Sequence, residues 1–362
     1  MVNAGGLMLQ IKCLDKRGFA LQFTWLFVLI AGAIILGFFF SLINNLMHGE
    51  EVQTDIKATQ ELDALIKINL ASGDTQKIVL FDKKIIFSAD SGSTYSEYYV
   101  ENSPYIAKYE YNAVFSPNEL EGDEVIIQNV MFKAPFRTLP VVYVSNKDIE
   151  YVFVNTSTII NLVSSYLPEN LTKASVSRGL MPDYPDNNYD HTVFILDDAA
   201  YLNSLRPNSF RNADKRLFAV VITPGQNTIY GYGNLTFYHY TSSNDFVSDG
   251  SVPFLDLTTI VGGVISHDKA IYECNLRKVL KRINLLTDLH TQRMRHYQDD
   301  ISLFECKNLY QTAIAHLENM KESSIDGEKL FTEDFQNLLI SINELRILNP
   351  YIIGTKDCPG IY

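Results

Sequence analysis

The chain has 362 residues, 46% of them hydrophobic, with 30 Lys and Arg against 42 Asp and Glu for a net charge of −12. Three of the basic residues and one acid precede residue 18, which leaves 27 basic against 41 acidic residues beyond it, a net of −14. That sign excludes nucleic acid as a natural partner and disfavours lying flat on an anionic bilayer.

Residues 18–47 contain no Asp, Glu, Lys, Arg or His, and Leu26–Ile43 reads LFVLIAGAIILGFFFSLI. A helix needs about 20 apolar residues to cross a bilayer, so this run predicts a transmembrane helix over 19–47. Lys12, Lys16 and Arg17 precede it, and Glu50, Glu51 and Asp55 come after it. The basic flank keeps a tail of residues 1–18 in the cytoplasm and exports the chain from about residue 48 onward. Trp25, the one tryptophan, stands near the start of the span, where a bilayer interface favours an amphipathic ring. The only Ala-Gly-Ala lies inside the run, at 31–33, so no signal-peptidase site ends it and the helix is expected to stay attached.

Residues 48–72 place Val52, Ile56, Leu62, Leu65, Ile66 and Leu70 near helical spacing, predicting an amphipathic stalk helix that continues the span or hinges at Gly49. From 76 to 155, short β-branched and aromatic runs such as KIVLFDKKIIF, EVIIQNVMFK and PVVYVS alternate with Asp, Asn, Gly and Pro, predicting mainly antiparallel strands. Strands at Ile149–Val154, His191–Leu196 and Leu217–Thr223 then alternate with helices at Ser157–Leu167 and up to Leu205. That order implies crossovers and some parallel sheet. Thr228–Tyr240 reads as further sheet, with glycines at bends.

The last third reads as helices at 269–297, 303–320 and 331–348, with a loop over 323–327 and a helix start at Thr332. The fold class is therefore α+β: one N-terminal transmembrane helix, an exported mixed sheet domain with an α/β portion over 73–265, and a C-terminal helical hairpin or bundle over 266–362.

The sequence carries no HExxH, GxSxG, zinc spacing or glycine-rich phosphate loop, so it assigns no catalytic, cofactor or metal residue. His290 and His296 are six apart on a predicted helix and do not share a face as i, i+4 ligands would. Asp197 and Asp198 follow the apolar strand TVFIL, where carboxylates at a strand's C-terminal end can bind a metal or polarise a substrate. A helix cap or a solvated loop is the competing reading. His267 and Asp268 stand before the long helix, either as a His–carboxylate pair or with Asp268 as the helix cap. The basic run Arg277, Lys278, Lys281, Arg282 could dock an acidic partner, pair with the chain's own acids, or form a solvated face. Asn155, Asn170 and Asn234 head glycosylation sequons, which a chain rich in Asn, Ser and Thr also produces by accident.

Cys13 falls in the tail, whereas Cys274, Cys306 and Cys358 fall on the exported side, where disulfides persist. In a hairpin of helices 269–297 and 303–320, Cys274 and Cys306 stand roughly 25 Å apart at 1.5 Å rise per residue. A disulfide needs Cα atoms within about 7 Å. A third, antiparallel helix would return the chain toward the turn, bringing Cys358 to Cys306. Cys274–Cys306 is the alternative and requires a broken first helix.

Lys16-Arg17-Gly18-Phe19 followed by an apolar helix resembles the basic-Gly processing site of archaeal type IV pilin-like proteins. That resemblance implies cleavage after Gly18 with the hydrophobic helix retained. Phe23 stands at the fifth position after the cut, where the bacterial pattern has Glu. Across most of the chain, FTWLFVLIAGAIIL, NVMFKAPF and SHDKAIYECNLRKVLKRI are similar to segments of archaeal single-span membrane proteins. The resemblance implies an envelope protein and brings no site residues.

The expected function is a membrane-anchored extracytoplasmic envelope component with a structural or interaction role, such as a pilin-like or surface-complex subunit. It contacts lipid through its N-terminal helix and other envelope proteins through its domain. The alternative is a membrane-tethered hydrolase using the acids at the sheet ends.

Overall fold

The computed structural model describes residues 16–71, 76–80, 83–90, 92–154, 157–177, 189, 191–204, 216–225, 233–241, 245–324, 333–354 and 358–362. Cys13, Asn155, the loop residues 325–327, Thr332 and the expected strand start at Thr228 lie outside these.

The chain divides into two compact units, Met1–Thr54 and Asp55–Tyr362. Helix α1 spans Lys16–Ala71 without interruption, so Gly49 is no hinge. Leu26–Ile30, Ile34–Leu36 and Phe38–Phe40 of α1 present large apolar side chains that are half or more exposed. Among the described residues no helix is long and apolar enough to cross a membrane. The sixteen consecutive side chains described there, 26–41, span only about 24 Å at 1.5 Å per residue.

The second unit is α+β, with three sheets and a helical C-terminal region. Strands β1 (Gln76–Leu80), β7 (Glu124–Lys133), β8 (Arg137–Asn146) and β5 (Ala113–Phe115) form one sheet in the order β1-β7-β8-β5. Its pairs are antiparallel except β5 on β8. Strands β2 (Ile85–Ala89), β3 (Ser96–Val100), β4 (Ala107–Tyr109) and β6 (Glu119–Leu120) form a second, antiparallel sheet in the order β4-β3-β2-β6.

The third sheet contains β9 (Ile149–Val154), β10 (Thr172–Val176), β11 (His191–Leu196), β12 (Arg216–Pro224), β13 (Gly233–Tyr240) and β14 (Phe246–Phe254), in the order β10-β9-β11-β12-β13-β14. Its first four strands are parallel and its last two antiparallel. Helix α2 (Thr158–Tyr166) supplies one crossover. The central parallel strands β9 and β11 bury both faces and read as near-continuous apolar runs.

Helix α3 (Leu257–Ser266) was not expected as a helix. Its run TIVGGVI is apolar all round, a pattern that periodicity cannot separate from a buried strand. Asp256 and Thr259 form a reciprocal capping box that starts it. A Cβ at Gly262 would lie 2.8 Å from the Phe115 ring, so the missing side chain lets α3 approach β5. Helix α4 (Lys269–Asp299) comes immediately after. Asn275 completes the edge of β5: its Oδ1 accepts from Val114 N at 3.0 Å and its Nδ2 donates to Val114 O at 2.7 Å. Tyr272 joins the core with ring centroids 5.7 Å from Phe115 and 5.4 Å from Phe237.

Helix α5 (Lys307–Ser324) packs on α4, and α6 (Glu333–Gly354) packs on α5, with Met294, Tyr310, Leu317 and Leu338 in the shared core. The expected helix start at Leu303 falls in a 3-10 turn, Ile301–Cys306, and the α-helix begins at Lys307.

Residues 55–71 of α1 belong to this second unit. Leu62 and Ile66 are fully buried in its core. Thr59 Oγ1 accepts from Val100 N at 3.2 Å, and Asn69 and Asn129 cross-link the helix to β7. The Asp63 carboxylate accepts from the hydroxyls of Tyr98 and Tyr109 and from the Lys67 ammonium. Burial raises the Asp63 pKa, but the Lys67 and tyrosine hydrogen bonds outweigh it and hold the carboxyl below its ordinary value.

Candidate functional site

The side chains singled out by sequence separate into two places. Asp197 and Asp198 follow β11 at its carboxyl end. Asp198 Oδ1 accepts from Ala200 N at 2.9 Å, capping the 3-10 turn Ala199–Ser204. Asp197 is half-buried, and its Oδ1 meets no donor among the described residues. His267 lies near the opposite end of β11, with its ring centroid 6.1 Å from that of His191, the first residue of the strand. Six residues at about 3.3 Å each thus separate the two sets. They form no joint site, and no group of three His, Cys, Asp or Glu able to hold a metal occurs among the described residues.

His267 and Asp268 do not pair with each other. Asp268 caps α4, its Oδ1 accepting from Ile271 N at 2.9 Å, and burial raises its pKa. His267 ends α3 in the left-handed conformation, at φ 37°. Its Nδ1 lies 3.1 Å from Ile265 O, and a carbonyl only accepts, so Nδ1 carries the hydrogen. The ring is 1% exposed and lies tilted by 45° against Phe218, with centroids 4.5 Å apart. Burial, reinforced by nearby His191, pushes its pKa down to about 3. The ring is therefore neutral, with an Nε2 lone pair that no described residue meets.

Two cavities flank this histidine pair at the amino ends of β11 and β12. The smaller, about 230 Å³, is bordered by Glu119, Glu121, Asp148, His191 and Arg216. Glu119 accepts from Arg216 and, at 3.0 Å, from Lys84. Burial works against its ionisation, but these two cations hold its carboxyl below the ordinary value. The larger cavity, about 700 Å³, is bordered by Arg216, Phe218, Tyr240, Asp249, His267 and Lys269, among others. A His–carboxylate pair does exist here, but it is His239 with Asp249, at 2.7 Å across β13 and β14. The sequence signal for it was weak: the two residues are ten apart, and a bulge at Phe237/Tyr238 shifts their register.

Half of the basic run on α4 is turned inward, at Arg277 and Lys278. Arg277 pairs with Glu273 at 2.6 Å, both nearly buried. Lys278 is 2% exposed and donates to Ser96 Oγ, Asn112 O and Asn275 Oδ1. Burial lowers its pKa to about 8. Arg282 Nε reaches Thr138 O, and the Lys281 ammonium lies 5.6 Å from the Tyr111 ring centre. Arg277 and Lys278 are thus spent inside the fold, while Lys281 and Arg282 lie on the exposed face.

Cys306 and Cys358 are joined, with Cα atoms 6.0 Å apart, and Cys274 is a buried free thiol donating to Tyr95 O at 3.2 Å. The bridge fixes a docked C-terminal strap. Asn349 Oδ1 accepts from Ile361 N at 2.7 Å, Tyr310 donates to Pro359 O at 3.1 Å, and His290 stacks 4.4 Å from Phe136 beside Tyr362. Comparison of the chain with protein-family models, with curated proteins and with solved structures finds no match.

Proposed function

We propose that this chain is a membrane-anchored extracytoplasmic protein with a structural or interaction role in the cell envelope. The uncharged apolar run over residues 18–47 carries this reading, because a basic flank precedes it and an acidic one comes after it. The Cys306–Cys358 pair supports placing the folded unit in an oxidising compartment.

The side chains with the most chemical potential are spent on architecture: Asp198 and Asp268 cap helical turns, and Lys278 and Glu273–Arg277 are buried and satisfied. That use favours a scaffold over a hydrolase built on Asp197 and Asp198. The pilin-like reading draws support from α1, a 56-residue helix whose last turns, with Leu62 and Ile66, belong to the core of the folded unit.

Affinity isolation of the full chain from native membranes tests the role. The expected result is a reproducible set of co-purifying envelope proteins. Recovery of the chain alone, with turnover of a hydrolysable substrate, refutes it. N-terminal sequencing of the isolated protein tests the pilin-like part: a mature start at Phe19 supports handling by pilin machinery, and an intact start opposes it.

A further inference from the structure

The larger cavity, of about 700 Å³, lies within the range of small-molecule sites. Its lining is of two kinds. Leu217, Phe218 and Tyr240 offer apolar and aromatic surface, while Arg216, Lys269, Asp249 and Asp268 bring two positive and two negative charges. These formal charges cancel, so neither a simple anion nor a simple cation gains a net attraction there.

The donors and acceptors are held in place by other parts of the fold. Arg216 is braced by Glu119, Asp249 by His239, and Asp268 by the first turn of α4. Lys269 lies across Gly250, close enough that a Cβ there would be 3.0 Å from its Nζ. His267 borders the cavity almost wholly buried, its neutral ring adding to the wall beside Phe218.

We propose that this cavity binds a neutral polyhydroxylated ligand, a sugar ring either free or at the end of a glycan. A hydroxyl both donates and accepts, so one such group satisfies a carboxylate and an ammonium together without bringing charge. The C–H face of a sugar ring rests on the aromatic wall of Phe218 and Tyr240. The inference rests on the cavity alone and stands whether or not the chain is membrane-anchored.

Full-length protein in a detergent without a sugar headgroup provides the test. Glucose, galactose, mannose and N-acetylglucosamine are titrated as free sugars by ligand-observed NMR and as glycan ends on an array, with acetate and methylammonium as charged controls. The expected result is saturable binding of at least one neutral sugar, weakened about tenfold by Lys269→Met and by Asp249→Asn, with both variants melting as the wild type does. Binding of the free sugar identifies a monosaccharide ligand, and binding only on the array identifies a glycan end; either upholds the proposal. Absence of saturation in both formats overturns it. So does binding unchanged in both variants, or equal binding of acetate or methylammonium, and any of these leaves a water-filled cavity.

Discussion

Removing the Cys306–Cys358 bridge should lower the stability of the folded unit by about 4 kcal/mol. The two cysteines are 52 residues apart, and closing a loop of that length removes about 14 cal/mol/K of entropy from the unfolded chain. The loop holds all of α5 and α6, so the constraint acts on a whole packed layer. The native contacts of the strap do not need the bridge: Ile361 N to Asn349, Tyr310 to Pro359 O and Tyr362 to Leu345 O are formed by other atoms. The double variant Cys306→Ser, Cys358→Ser should therefore keep its fold and lose stability mainly through its looser unfolded state. Urea unfolding followed by tyrosine fluorescence, with and without reductant, measures this. The wild type in reductant and the double variant should coincide, with the oxidised wild type about 4 kcal/mol more stable and melting roughly 8 °C higher. A difference under 0.5 kcal/mol, or alkylation of Cys306 in native unreduced protein, refutes the reasoning.

Four further expectations rest on single sites. Asp63 is held below its ordinary pKa, so it contributes stability above about pH 4 that is lost as pH falls through its folded value. Asp63→Asn should flatten acid unfolding in that window, and a profile parallel to wild type would contradict it. Tyr109→Phe, which removes a hydroxyl bonded to Asp63, should cost about 1–3 kcal/mol by chemical denaturation, and no change would mean the cluster carries no stability. His267 is neutral when folded, with a pKa near 3, whereas the unfolded imidazole titrates near 6.5; its contribution is complete above about pH 6.5 and falls at lower pH by up to about 1.4 kcal/mol per unit. His267→Asn, which tolerates the left-handed backbone, should remove that slope in a stability–pH series, and an unchanged slope would assign it to another group. Gly262→Ala should destabilise by about 1–3 kcal/mol, because the new methyl meets the Phe115 ring at 2.8 Å; a neutral result in thermal melts would show that the ring yields freely.

Much of the frame was legible in the residues, for identifiable reasons. Ile149–Val154 and His191–Leu196 are strands at the expected bounds, since β-branched runs between polar breakers leave little choice. Asp268 shows its capping role by standing before a long periodic helix. Helix α3 was not legible, because an all-apolar run has no period to read. The turn at Ile301–Cys306 was not legible either, because Leu303 and Phe304 continue the helical pattern. Asn275, which completes the edge of β5, is 161 residues from Val114 in sequence, so no local pattern shows the contact. The cavity at the amino ends of β11 and β12 escaped for the same reason: Arg216, Asp249, His267 and Lys269 converge only through sheet order, and no local spacing announces them. The expected site at Asp197 and Asp198 sits on the edge of the sheet where open parallel sheets usually bind ligands, whereas both cavities lie on the other.

Protease treatment of intact cells, with detection of epitopes at each end, tests the central claim of a membrane-anchored, exported domain most directly. The account predicts that epitopes beyond residue 60 are digested while the first fifteen residues are spared, and that the undigested chain stays with the membrane after carbonate extraction. A protected C-terminal epitope, or a mature protein beginning beyond Met47 and released from the membrane, would contradict it.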